Sequence, residues 1–144
     1  HLLYIHCKRY TKLIRKRMTK NFKLKEFKCK SGAEMPLEVY ENIIKLASQL
    51  QFLRDYTGRA VRINSAYRSP KHNAKVGGSK TSQHLYGKAA DITIDGLKPI
   101  EVFTLIEDLI DLGLMLQGGL GLYDTFVHYD IRKTKSRWNY ARKV

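Results

Sequence analysis

Two histidines and an aspartate carry the strongest chemical signal in this 144-residue chain. His84 and Asp91 stand seven residues apart in Ser82-Gln83-His84-Leu85-Tyr86-Gly87-Lys88-Ala89-Ala90-Asp91, and His128 follows in Phe126-Val127-His128-Tyr129-Asp130. Imidazole and carboxylate are donors that zinc accepts, and three protein ligands leave a fourth position for water, as in a catalytic rather than a structural site. A structural site would be closed by a fourth ligand, usually cysteine, and Cys7 and Cys29 lie far away in the first thirty residues. One zinc ion held by His84, Asp91 and His128 would lower the pKa of water and polarise a carbonyl, which amide hydrolysis at neutral pH requires.

Such a reaction needs a group that takes the proton from water and returns it to the leaving amine. Asp130 is the first candidate, because it shares a strand face with His128, and Asp124 in the preceding turn is the second. Asp130 fits equally well as the carboxylate that orients a metal-bound imidazole. Arg68 offers a planar, permanently charged fork suited to a peptide carboxylate or a developing oxyanion, although an arginine after a strand is also an ordinary surface residue. His1 and His6 in a basic arm, and His72 in a polar loop, read as surface histidines.

The elements that must position these groups follow from periodicity. Pro36 opens a helix over about 36–56, with Leu37, Tyr40, Ile44, Leu46, Ala47, Leu50 and Leu53 at helical spacing and Gly58 as the stop. Val61, Ile63 and Ser65 alternate with Arg62, Asn64 and Ala66 in a strand that Ser69-Pro70 ends, which leaves Tyr67 and Arg68 just past it. Residues 71–81 read as a surface loop with room for one helical turn. A second strand runs from about Lys88 to Asp95-Gly96, with Ala90, Ile92 and Ile94 on one face. Pro99 opens a second helix, carrying Val102, Phe103, Ile106, Leu109 and Ile110 and closed by Gly113. Gly118 to Tyr123 and Phe126 to Arg132, separated by Asp124-Thr125, form a hairpin in which Val127, Tyr129 and Ile131 face one way and Phe126, His128, Asp130 and Arg132 the other. The architecture expected is α+β: a small antiparallel sheet with the site on one face and helices on the other.

Composition bounds the rest. The chain suits one domain, and 43% hydrophobic with 28% charged residues describes a folded protein rather than a disordered one. No apolar run reaches the length of a membrane span. The net charge of +14 is unevenly placed: residues 1–30 hold 11 Lys or Arg against Glu26 alone, and residues 31–144 hold 16 against 12 acids. Most of the excess belongs to this N-terminal arm, and the chain divides into a basic N-terminal extension over 1–20 and a domain over 21–144. The extension reads as a solvated tail, and the same charge would serve to bind nucleic acid, anionic lipid or an anionic wall polymer. His1 to Ile5 is too short for the apolar core of a secretory signal. Phe22, Leu24 and Phe27 suit an extended piece docked on the domain edge, and the two cysteines are either free thiols or one bridge pinning the arm.

Ser82-x-His84-x-x-Gly87-x-Ala89-x-Asp91 matches the S-x-H-x-x-G-x-A-x-D signature of the zinc D-alanyl-D-alanine carboxypeptidase family, peptidoglycan peptidases that share a fold with the hedgehog signalling domain. Ser65-Ala66-Tyr67-Arg68-Ser69-Pro70 with Asn73, and Gly118-Gly119-Leu120-Gly121 through Asp130, are similar to flanking segments of that family, so the resemblance spans about 22–138. It implies His84, Asp91 and His128 as zinc ligands, Arg68 with Tyr67 as substrate contacts, Ser82 as a supporting residue, and cleavage of cell-wall stem peptides by a D,D-carboxypeptidase or an endopeptidase, including phage lysins. It implies action at the wall by a monomer, with no specific nucleic-acid partner. Relatives commonly place an acid or histidine shortly before the last zinc histidine, where this chain has only Asp124. The competing expectation is an inactive wall-binding or phage structural module of the same fold.

Overall fold

The computed structural model describes residues 2–142, with side chains described from Lys8 onward. The surface reading of His1 and His6 and the pairing of Cys7 lie outside what is described. Helix α1 (Leu2–Arg17) leads to a 3₁₀ turn at Leu24–Phe27 and then to α2 (Leu37–Thr57). Strand β1 (Val61–Ser65), the short helix α3 (Pro70–Lys75), a second 3₁₀ turn at Gln83–Tyr86 and β2 (Ala89–Ile94) follow. Helix α4 (Pro99–Asp111) and strands β3 (Gly119–Leu122), β4 (Val127–Asp130) and β5 (Ser136–Asn139) complete the fold. The order in the sheet is β1-β2-β4-β3-β5.

Helix α2 forms where the sequence predicts. Its cap is Pro36 itself, and Gly58 ends it at φ 64° with its N–H on Arg54 O, a left-handed conformation that glycine adopts without a Cβ penalty. The buried stripe is rotated from the expected one: Val39, Tyr40, Ile43, Leu46, Ala47, Leu50 and Leu53 face the core, while Leu37 is exposed. Each fully buried Leu or Ile contributes roughly 1.5–3 kcal/mol relative to exposure, which outweighs any single helix-propensity term. Helix α4 starts at Pro99 with the Glu101 carboxylate accepting from Lys98 N, and it buries Val102, Ile106, Leu109 and Ile110.

Alternation divides the sheet into two faces. Ile63, Ala90, Ile92, Ile94, Leu120, Leu122, Val127 and Tyr129 join the core shared with α2 and α4. Asp91, His128 and Asp130 take the other face, as do Gly119 and Gly121. Strand β1 departs from the expected alternation. Ile63 pairs with Ile92, yet Ser65 pairs with Asp91, so a bulge at Asn64 turns Ser65 to the polar face and sends Ala66 into the core.

The purely antiparallel sheet expected from the sequence is corrected at its far edge, where β5 pairs in parallel with β3. The solvated-tail reading of residues 1–20 is corrected too. Ile14 of α1 is buried, the Tyr10 ring meets the edge of Tyr40 at 5.8 Å, and Arg17 pairs with Glu41 at 2.7 Å. The pair is exposed and adds little, so Ile14 and Tyr10 carry the docking of α1 on α2. Residues 22–29 dock into the core rather than on its edge, because Phe22, Leu24, Phe27 and Cys29 are all buried. Cys29 is a free thiol, bonded to Ser31 and Ser69. No helix among the described residues is long and apolar enough to cross a membrane.

Candidate metal centre

Asp91 and His128 stand directly opposite each other on β2 and β4, so strand register alone makes them neighbours. His84 reaches them from the second 3₁₀ turn, which is framed by Ser82 and Gly87. Ser82 Oγ accepts from His84 N at 3.2 Å, and Gly87 sits at φ 69° next to the Val39 side chain. A Cβ there would both strain the backbone and collide with the Val39 side chain. The one-atom donors of His84, Asp91 and His128 lie within 4.8 Å of one another, and all three residues are buried.

Hydrogen bonding fixes which nitrogens face inward. His84 Nδ1 lies 2.7 Å from the Ala66 carbonyl, which can only accept, so Nδ1 carries the proton and Nε2 points a lone pair at Asp91 Oδ1, 3.2 Å away. His128 Nε2 lies 2.7 Å from Asp130 Oδ2, so this nitrogen donates outward and Nδ1 faces the same Asp91 oxygen at 3.1 Å. Three donors thus converge where only a proton or a cation can hold them together. The two spacings to Asp91 Oδ1, 3.2 and 3.1 Å, are close to the ~3.3 Å edge of a tetrahedron built on zinc–nitrogen and zinc–oxygen bonds. The donor set therefore fits a divalent ion of that kind.

Electrostatics agree. Burial pushes the Asp91 carboxyl up, but the two imidazoles of His128 and His84 against it outweigh that and hold the group well below the usual carboxylate range. Burial draws His128 down, and its bonds to Asp130 and Asp91 reverse this and raise it. A proton and a divalent ion therefore compete for the same inward-facing donors.

Asp130 is wholly buried beneath His128 and accepts from five N–H groups. Oδ1 takes Gly119 N (2.8 Å), Arg132 N (3.1 Å) and Arg132 Nε (2.9 Å), while Oδ2 takes Arg132 Nη2 (2.7 Å) and His128 Nε2. Burial raises this carboxyl, and the bonds from His128 and Arg132 more than reverse the effect. No lone pair remains turned toward an incoming substrate. Asp124, the second candidate base, sits exposed in the hairpin turn, its Oδ1 accepting from Arg142 N at 2.7 Å. Neither carboxylate lines the cleft above the donors, a space of about 620 Å³.

Arg68 does line it. Its Nε donates to Ser65 Oγ (3.1 Å), Nη1 to Asn73 Oδ1 (3.3 Å) and Nη2 to Asp91 Oδ2 (3.3 Å), so the bulge in β1 is what supplies its anchor. Asn73 is itself buried and donates to Ser79 O. Ser82 also lines the cleft. Tyr67, expected beside Arg68 as a substrate contact, is instead in the core at 3% exposure, its backbone N–H held by Phe27 O.

A family model described as Peptidase M15 matches residues 20–130, more than half of the chain. The chain belongs to the peptidase M15 family. No curated protein matches it. The zinc D-alanyl-D-alanine carboxypeptidase-like resemblance carried by the Ser82–Asp91 motif is thereby met, as is the α+β fold expected from it. The match ends at Asp130, so β5 of this M15 family member lies beyond it.

That last strand supplies what the sequence reading missed. Trp138 stands beside Gly121 in the β3–β5 pairing, and Gly121 stands opposite His128, so the indole settles 4.9 Å from the His128 ring. A Cβ on Gly121 would strike the indole, and one on Gly119 would strike the Asp130 carboxylate. Gly118-Gly119-x-Gly121 is thus a strand kept bare so that two site side chains can lie across it. Arg132 stacks over Trp138 at 5.5 Å while its fork holds Asp130. Glycines inside a strand mark close approach, and that was the available signal.

Proposed function

We propose that this protein is a zinc-dependent peptidase that hydrolyses amide bonds in the stem peptides of peptidoglycan. The observation that carries the reading is the convergence of His84 Nε2, Asp91 Oδ1 and His128 Nδ1, each oriented from behind, at the floor of an open cleft. When bound, zinc would supply Lewis acidity, making water a nucleophile near neutral pH and drawing electrons from the scissile carbonyl. The chain's own residues do the rest. Ala66 O and Asp130 keep the two imidazoles in the tautomers that offer lone pairs to the ion. Arg68, braced by Ser65 and Asn73, presents a fixed cation to the substrate's carboxylate or to the carbonyl oxygen as it gains charge. The exposed lysines and arginines of α1 give the protein a long-range attraction to an anionic wall. It acts there as a monomer, without a nucleic-acid partner.

The test is metal analysis with turnover of purified wall and of defined muropeptides, products read by mass spectrometry. One zinc per chain and release of peptide are expected, and His84→Ala or His128→Ala should abolish metal and activity together. A zinc-loaded protein that releases no peptide would assign it instead to the inactive wall-binding modules of this fold.

A further inference from the structure

We propose that Tyr123 is a catalytic hydrogen-bond donor of this site, its phenol directed at the scissile carbonyl oxygen from the side of the metal opposite Arg68. The inference rests on the peptidase reading above and adds a residue to it. Tyr123 is the last residue before the hairpin turn, which its own N–H closes on Phe126 O at 3.1 Å. Its ring is clamped, stacked on Phe126 at 4.4 Å and 11° and leaning on Tyr140 at 5.6 Å. It lines the same cleft as His84, Asp91 and His128.

The direction of its hydroxyl follows from the chemistry of its neighbour. Trp138 Nε1 lies 3.0 Å from Tyr123 Oη, and an indole N–H can only donate. The phenol oxygen is therefore the acceptor in that contact, which leaves its own hydrogen free for an acceptor in the cleft that Tyr123 lines. Donation from the indole also polarises the phenol and strengthens it as a donor in turn. Trp138 is itself fixed by Gly121, by the His128 ring and by Arg132, so the hydroxyl is referenced to the metal ligand through one rigid indole. Burial raises the phenol above its ordinary range despite the bond from Trp138, so the group is neutral and keeps its hydrogen at working pH.

The sheet order places this donor across from Arg68. Arg68 follows β1 at one edge, Tyr123 follows β3 near the other, and β2 and β4 carry Asp91 and His128 between them. Among the described residues lining the cleft, Asp91 is the one carboxylate, so charge forming on a substrate oxygen meets donors on both sides and no competing acid. No proton is transferred by Tyr123 in this assignment; the bond to oxygen shortens as the carbonyl becomes tetrahedral.

The experiment compares wild type, Tyr123→Phe and Trp138→Phe, all zinc-loaded, on one defined muropeptide, alongside binding of a phosphinate analogue of the scissile bond. Tyr123→Phe keeps the ring stack and should keep zinc and KM while kcat falls roughly 100-fold, as for loss of one oxyanion donor. Phosphinate affinity should fall by a matching factor, whereas affinity for the product peptides stays. Trp138→Phe should give a smaller loss of kcat in the same direction. Wild-type kcat in Tyr123→Phe, or a loss confined to KM and shared by product binding, would overturn the assignment and leave the peptidase reading intact. A zinc-loaded wild type that turns over nothing would overturn both.

Discussion

Replacing Asp130 by asparagine separates the two roles that a carboxylate beside a metal-binding histidine can play. The Asp130 carboxylate accepts five hydrogen bonds, three at Oδ1 and two at Oδ2. An amide has one accepting oxygen, so in Asp130→Asn either orientation points an NH₂ at donors. With the NH₂ at the Oδ2 position it confronts Arg132 Nη2 and His128 Nε2. His128 relieves that clash by moving its proton to Nδ1, the nitrogen that faces Asp91. The metal-binding lone pair is then lost from the inner side of the ring. Disrupting an outer partner of this kind weakens metal binding by about 10–100-fold. The variant also strips the countercharge from a partly buried Arg132, and breaking a buried ion pair by removing one partner costs about 3–5 kcal/mol. Competition for zinc against a chromogenic chelator measures the first quantity, and urea unfolding of the metal-free protein the second. Wild-type zinc affinity with reduced kcat would refute this reasoning and return Asp130 to the role of general base.

Gly121→Ala places a methyl group where the Trp138 indole lies, so the indole must shift. Overpacking of this kind costs about 1–3 kcal/mol, and because Trp138 is the sole tryptophan its emission reports the displacement directly. An unchanged spectrum and unfolding midpoint would contradict the packing described. Zinc stabilisation should grow with pH. His128 is raised in the metal-free fold, so its ion pairs stabilise that form fully below the unfolded pKa of about 6.5 and lose this contribution as pH rises through the folded value. Asp91 and Asp130 are depressed, so theirs is present above about 4 and fades only in strong acid. Raising pH from 6 to 8 therefore weakens the metal-free state while removing the proton that competes with the ion. The zinc-induced rise in Tm should be larger at pH 8, and an equal rise at both values would argue against His128 as a ligand.

The convergence of the candidate metal donors was legible in the sequence because strand alternation is a local rule. Val127 and Tyr129 go inward, so His128 and Asp130 share the opposite face, and the buried run Ala90, Ile92, Ile94 places Asp91 likewise. What alternation cannot carry is a break in itself. The bulge at Asn64 moves Ser65 to the site face and makes it the anchor of Arg68, a change of one residue in register that no propensity signals. Tyr67 turns into the core for the same reason, since a position just past a strand end has no fixed face until the chain beyond it is placed. Strand β5 carries no signal in the sequence, because it is short, half-buried and joined to β3 in parallel, which leaves no hairpin pattern.

The sheet order also divides the labour of the site in a way that the motif residues alone do not express. His84, Asp91, His128 and Asp130 are tied to neighbouring strands of the sheet and to bonds among themselves, so each constrains the others and little can vary there without disturbing the candidate metal donors. Arg68 and Tyr123 stand at the margins, one held by a bulge and an asparagine, the other by an aromatic clamp and the final strand. Changes in the loop before Ser82 or in the hairpin tip can reshape what the cleft accepts while the donors of the metal stay fixed. Loops carried on a rigid sheet permit that separation. If the chain acts as proposed, the choice among scissile bonds is expected to follow the walls carrying Ser79, Tyr123 and Tyr140, and the capacity for hydrolysis the floor beneath them.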